Sequence, residues 1–422
     1  GGGGWSLLRS NPDAQLGSQG GNTLSAGSVT LKLSSNIVTS GTAAAGIVIQ
    51  SIGGGGGVTG SAVGNVTLGA TTVSGNLSAN SLELQLKGIV STAGYGSPAV
   101  VAQSIGGGGG LGDVVGDTAR LGQSGTGQAN SLAGSINFKG SGKAIQTTGD
   151  GSPGLLMQSI GGGGGWLSDV GGNALLGGST ATGATSVGND ITLSSTYSAI
   201  TTVGRNSTGL LAQSIGGGGG FTGVTSGADL ILGGTHDGNS SAGNVAITNT
   251  AAITTTGLNA AAIVAQSIGG GGGTSATDNG RMIRLGAAGS GLANSSTISL
   301  TNSGNLQTQG VGSAGMVVQS VAGGGGYIAE VSGRQDYSVD FGTRSSGQAN
   351  AGAITVTNTA KSISTLGDYA PAVNVQSIGG GGGFALIRGS NRALTRLGVV
   401  DATASTDAGA ITTRAARVDG GW

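Results

Sequence analysis

The chain has no cysteine. It therefore has no disulfide frame, no thiolate metal site and no cysteine nucleophile. That fits a protein exported unfolded, where a disulfide would obstruct passage. Charge is nearly as scarce: 8% of 422 residues, with 17 basic and 17 acidic side chains balancing to zero. Such a balance argues against a basic surface for nucleic acid or anionic lipid. Glutamate occurs only at Glu83 and Glu330, and histidine only at His236. His236 adjoins Asp237 in a glycine-rich loop, an adjacency that could suit a base and its orienter. No nucleophile signature lies nearby, so it reads as a solvated loop histidine, and no enzyme is expected. No run of 18 apolar residues exists, so no transmembrane helix and no membrane insertion of this segment are expected. No signal peptide is visible.

Glycine is what the chain has, with 95 residues, yet no Gly-X-Y period and only four prolines. Aliphatic residues sit in short periodic runs, so order is expected. The glycines cluster in one phrase, Gln-Ser-Ile followed by five glycines. It begins at Gln50, Gln103, Gln158, Gln213, Gln266, Gln319 and Gln376, at spacings of 53, 55, 55, 53, 53 and 57. In the copy at Gln319, Val321 and Ala322 are the variants. A period this regular marks one repeat array. Its units are 1–52, 53–105, 106–160, 161–215, 216–268, 269–321, 322–378 and 379–422, the first and last partial. The chain opens inside one copy of the phrase, at Gly1 to Gly4, and reads as a section of a longer protein.

Each unit follows one plan. After the glycines stands a large residue in most copies (Trp5, Leu111, Trp166, Phe221, Tyr327, Phe384), with Val58 and Thr274 smaller. Three β-branched segments close each unit, bounded by Gly, Asn, Asp and Ser, the pattern of strands. Like strands recur one repeat later, which predicts an all-β fold, a parallel β-solenoid with in-register sheets. In the second segment, Thr39, Ser91, Thr147, Thr202, Thr255, Thr308 and Thr365 share a face with the leading Ile or Leu, and that face is placed inward. The third segment, which runs into Gln-Ser-Ile, is apolar on both faces and must be covered by a second layer or another chain. Val48, Val101, Leu156, Leu211, Val264 and Val317 form the outer of those faces and are candidate lateral contacts. Two coils of about 26 residues per repeat match familiar solenoids and serve as the working expectation. One wide coil would instead stack Gln on Gln and satisfy a buried amide by a ladder.

Little in the sequence carries chemistry. Matches to a phosphate loop are inevitable among so many glycines, and no Gly-x4-Gly-Lys-Ser/Thr is present. Asp113 and Asp169 follow glycine runs at different offsets, unlike a calcium-binding β-roll. Threonine-rich segments suit ice binding, but the uniform threonine is read as inward. Lysines and arginines are scattered singly and read as solubilising charge. No cofactor and no metal site are expected. The glutamines of the phrase and its central glycines (Gly55, Gly108, Gly163, Gly218, Gly271, Gly324, Gly381) are structural packing residues, the run making a flat surface against which the following ring lies.

Segments such as Ile253-Thr-Thr-Thr-Gly257 followed by Ala262-Ile-Val-Ala-Gln-Ser-Ile-Gly-Gly-Gly-Gly-Gly273 resemble the glycine-rich repeats of large bacterial autotransporter passengers. The resemblance spans essentially the whole chain. It implies a β-helical passenger, secretion through an outer-membrane β-barrel, and exposure at the surface of a Gram-negative cell. The function this implies is a structural fibre or stalk supporting adhesion, biofilm matrix or filament assembly, associating with itself or with neighbouring repeats. The alternative is an adhesin that binds a host or surface glycan or protein through variable loops between the second and third strand blocks.

Overall fold

A computed structural model describes residues 3–6, 13–21, 23–62, 64–114, 118–123, 130–180, 183–225, 229–236, 238–278, 282–286, 291–331, 337–342, 347–387, 393–397 and 406–415. Every regular element among them is a strand. The repeat 53–105 shows the plan: β1 (Gly56–Ala62), β2 (Val66–Leu68), β3 (Thr71–Val73), β4 (Leu77–Ser78), β5 (Leu82–Lys87), β6 (Val90–Thr92) and β7 (Val100–Ile105). The same numbers serve below for the equivalent strands of other repeats. Most elements are short because glycine, asparagine and serine interrupt the apolar alternation every few residues, while β5 and β6 run together as one strand in Ile136–Thr147 and in Ile191–Thr202.

Among the described residues all pairing is parallel and joins each strand to its namesake one repeat away, in long sheets for β1, β2, β4, β5, β6 and β7 and in isolated pairs for β3. Gln103 lies beside Gln50 and Gln158, and Ile253 lies between Ile200 and Leu306. The β1 and β2 sheets each have eight strands, β7 forms a seven-stranded sheet, and β5 and β6 together form one of thirteen. Partners in a sheet are thus one whole repeat apart, which corrects the expectation of two shorter coils per repeat. The physical reason lies in the layers, since the two halves of each repeat do different work and cannot stack on each other.

Four sheet layers enclose three apolar interfaces. Between β5/β6 and one face of β7 lie Leu82, Leu84, Val90, Val100 and Ala102 and their repeats. The opposite face of β7 packs on β1: Val101, Leu156, Leu211, Val264 and Val317 meet Val58, Leu111, Trp166, Phe221 and Tyr327. The far face of β1 packs on β2 through Leu167, Val170, Ile328, Leu121 and Leu176. Strand β7 is therefore covered on both sides from within the chain. The lateral contacts expected of Val101, Leu156, Leu211, Val264 and Val317 are overturned, because each is 0% exposed beneath β1. Val48, in the first unit, is half-buried against the same interface.

The inward threonines of β6 hold, with one shift. Thr39, Thr147, Thr202, Thr255 and Thr308 each donate to the carbonyl five residues on, at 2.5–2.6 Å. In the second unit Thr92, not Ser91, joins this column and bonds Ser97 O at 2.5 Å. Val90 takes the leading slot, and Ile89 falls one place earlier, where its N–H bonds Asn36 Oδ1.

Candidate functional site

The Gln-Ser-Ile and glycine phrase is where β7 reverses into β1, and each of its residue types has a separate task. The glutamine side chain points between the β7 and β1 layers. Nε2 of Gln103 donates to Oε1 of Gln158 at 2.8 Å and to Gly110 O, seven residues on, at 3.2 Å. The pattern repeats from Gln50 through Gln158, Gln213, Gln266 and Gln319 to Gln376, with amide-to-amide distances of 2.7–2.8 Å. Each inner glutamine thus uses both donors and its acceptor in a site closed to water, as a buried amide requires. Thr274, which replaces the large residue in its repeat, joins the ladder: its hydroxyl donates to Gln266 Oε1 at 2.9 Å and accepts from Gln213 Nε2 at 3.2 Å.

The serine faces the other way and clips successive repeats together. Ser104 Oγ donates to Asn80 O at 3.0 Å and accepts from Gly134 N at 2.7 Å, one acceptor behind and one donor ahead. Ser51, Ser159, Ser214 and Ser320 do the same. This role was missed in the sequence, although the invariance of the serine signalled it. A second polar ladder was also missed: Asn249 donates to Asn302, and Asn302 to Asn358, each at 2.8 Å.

The glycines are not a surface. Gly55, Gly108, Gly163, Gly218, Gly271, Gly324 and Gly381 have φ between +77° and +91°, which turns the chain. A Cβ on Gly163 would lie 2.8 Å from the Cα of Gly122, the glycine that ends β2 in the preceding repeat. The next two glycines open β1 with φ of +131° to +152°, so their missing Cβ atoms point along the stack. A Cβ on Gly164 would sit 1.9 Å from Gly219 O, and one on Gly165 1.9 Å from Gly110 O. No L-side chain fits there. The expectation that the following ring lies against a flat glycine surface is corrected: the run is buried, and the following residue packs on the β7 face. Trp166 and Phe221 are 0% exposed there, and Tyr327 stacks on Phe384 with centroids 5.6 Å apart.

The turns between β6 and β7 carry the alternative, adhesive reading, and they are uniform in length and handedness. Ten residues separate the leading positions of the two strands in every repeat, as in Ile37 to Ile47, Ile200 to Leu210 and Ile363 to Val373. One residue of each turn is left-handed: Ala43, Gly96, Gly151, Asn206, Asn259, Gly312 or Tyr369. Length and handedness are thus constant at this corner, while its side chains vary: the residue before the left-handed one is Thr42, Tyr95, Asp150, Arg205, Leu258, Val311 or Asp368.

Packed against this corner from β1 is Asp169, the carboxylate with a shifted affinity for its proton among the described residues. Tyr95 donates to Asp169 Oδ2 at 3.1 Å, and Ser168 donates to Asp113 Oδ1 at 2.5 Å. Burial raises the Asp169 carboxyl above the usual range, opposed by the Tyr95 hydrogen bond and aided by the Asp113 charge. Burial and then the Asp169 charge raise the Tyr95 phenol. Burial pushes Tyr197 up to about 12. The Tyr95 and Asp169 shifts arise from packing at this corner, and that of Tyr197 from its burial in the core beneath β5. Among the described residues no three His, Cys, Asp or Glu side chains gather as metal ligands. His236 lies in a short strand paired with Thr180, while Asp237 is outside the described residues. No helix among the described residues is long and apolar enough to cross a membrane.

Comparison with protein-family models, curated proteins and solved structures finds no match to this chain.

Proposed function

We propose that the chain is a parallel β-solenoid with one wide coil per repeat, serving as a non-enzymatic extracellular fibre or stalk of a bacterial surface or secreted protein. The observation that carries this reading is the continuity of identical columns. Glutamine, serine and glycine stack in register through successive repeats, so conservation of the phrase is spent on stacking rather than on a ligand. Resemblance to autotransporter passengers supplies the localisation: outside the cell or on the outer-membrane surface. Each amide ladder has a direction, so neighbouring repeats, whether in the same chain or in a second copy, extend the stack in one orientation only. Lateral association through β7 is dropped, since that strand is already covered.

The test is electron microscopy with far-ultraviolet circular dichroism on secreted protein. Uniform rods with a β spectrum, localised to the cell exterior by antibody labelling, are the expected outcome. Globular particles, a helical spectrum or confinement to the cytoplasm would contradict it.

A further inference from the structure

The lysines read from the sequence as scattered are brought together by the stacking. The chain has five, and four lie between Lys32 and Lys143. Lys32, Lys87 and Lys139 are exposed on the outer face of β5 in three consecutive repeats, and Lys143 is exposed where β5 runs on towards β6. Register places Gln85 between Lys32 and Lys139, and Lys87 beside Ser141. With strands about 4.8 Å apart and residues about 3.3 Å apart along a strand, Lys32 and Lys139 stand roughly 10 Å apart, and Lys87 roughly 8 Å from Lys139. On these three strands the outward residues are Thr30, Lys32, Glu83, Gln85, Lys87, Asn137, Lys139 and Ser141, with Glu83 the one acid, held by Gln85 Nε2 at 2.8 Å. In the next four repeats the same positions are Thr192, Ser194, Ala246, Thr248, Ser299, Thr301, Thr355 and Thr357, all uncharged. In those four repeats this sheet face is kept wet without any charge, and a cation returns to the column only at Arg414 in the eighth, so the concentration of lysines in the first three repeats is not a general requirement of the face. Close like charges oppose the fold.

A second feature coincides with the cluster. An open depression of about 240 Å³ lies between the lysines, lined by Gln85, Lys87, Lys139, Ser141, Ser194 and Thr196. Its lining brings together one amide, three hydroxyl-bearing side chains and two lysines, with Leu86 and Gly140 completing it.

We propose that this face binds an acidic polysaccharide, with carboxylate or sulfate groups on Lys32, Lys87 and Lys139 and sugar hydroxyls in the depression. An extended sheet face suits an extended polymer, and lysines at intervals of roughly 8–10 Å suit charges that recur along it. No aromatic residue stands among the outward positions of these strands, so the stacking platform that single-stranded nucleic acid uses is lacking here. This binding function goes beyond the stalk reading and does not depend on it.

The experiment is binding of the full chain to immobilised polygalacturonate and heparin, with dextran and duplex DNA as comparators, at low and physiological salt. Expected are binding to at least one acidic glycan, weakening with salt, and a loss of about tenfold or more in K87Q/K139Q. K361Q, which changes the one lysine remote from the cluster, is expected to bind as the parent does. All three substituted side chains are exposed, and unchanged dichroism confirms their folding. No glycan binding, equal binding to dextran, tighter binding to DNA, or an unaffected double variant would overturn the proposal.

Discussion

At the scale of single residues, the fold is governed by where a Cβ can and cannot go. In the phrase, two successive glycines per repeat have their Cβ directions blocked by carbonyls of the repeats on either side. The turn before β7 is more permissive, because only backbone handedness is at stake. Gly96, Gly151 and Gly312 take the left-handed position freely, whereas Ala43 takes it at φ +53°. A left-handed residue with a Cβ costs roughly 1–2 kcal/mol. Ala43→Gly should therefore raise stability by about 0.5–1 kcal/mol, allowing for the entropy of glycine in the unfolded chain. Gly151→Ala should lower it by about 1–2 kcal/mol, since its Cβ would meet Ser168 at an ordinary 3.6 Å and only the handedness is tested. Thermal unfolding checks both, and equal midpoints for all three proteins would contradict the argument.

At the scale of elements, the strands and their faces were legible and the layering was not. Period-two alternation exposes β5, as in Leu82, Leu84 and Leu86 inward with Glu83 and Gln85 outward. The doubly apolar β7 was equally visible, and so was its need for a cover. What covers it was not, because β1 begins with glycines that carry no face signal; only the large residue after them, as at Leu111, Trp166, Phe221 and Tyr327, marked it as apolar. Register slips of one residue, as at Ile89, are invisible without knowing which threonine reaches a carbonyl five residues ahead. The lysine cluster was hidden for a plainer reason: residues more than fifty positions apart become neighbours only once the number of coils per repeat is known. The β7 sheet also yields a test. Gln158→Leu orphans a donor on Gln103 and the acceptor of Gln213, each worth about 1–3 kcal/mol when buried. Both variants also lose a bond to a glycine carbonyl, Gly165 O or Gly383 O, but Gln376→Leu orphans just one glutamine partner, a donor on Gln319, and should cost less. Equal effects of the two substitutions in denaturant unfolding would show that the ladder does not act as a chain of mutual partners.

At the scale of the whole molecule, a repeat of 53–57 residues is spent on width rather than height. Each coil crosses four sheet layers, and eight stacked strands rise roughly 34 Å at about 4.8 Å per step. Broad coils bury two strands completely on both faces, which narrow ones cannot do, and this lets a chain with few aromatics and little charge build three apolar interfaces. The central claim is that one repeat makes one coil. It is tested most directly by the axial distance between successive Gln-Ser-Ile segments, measured by solid-state NMR between glutamines isotopically labelled in adjacent repeats or read from an experimental density map. One coil per repeat predicts about 4.8 Å between the Cα atoms of Gln158 and Gln213. A spacing of roughly 9.6 Å, two strand steps, would contradict it.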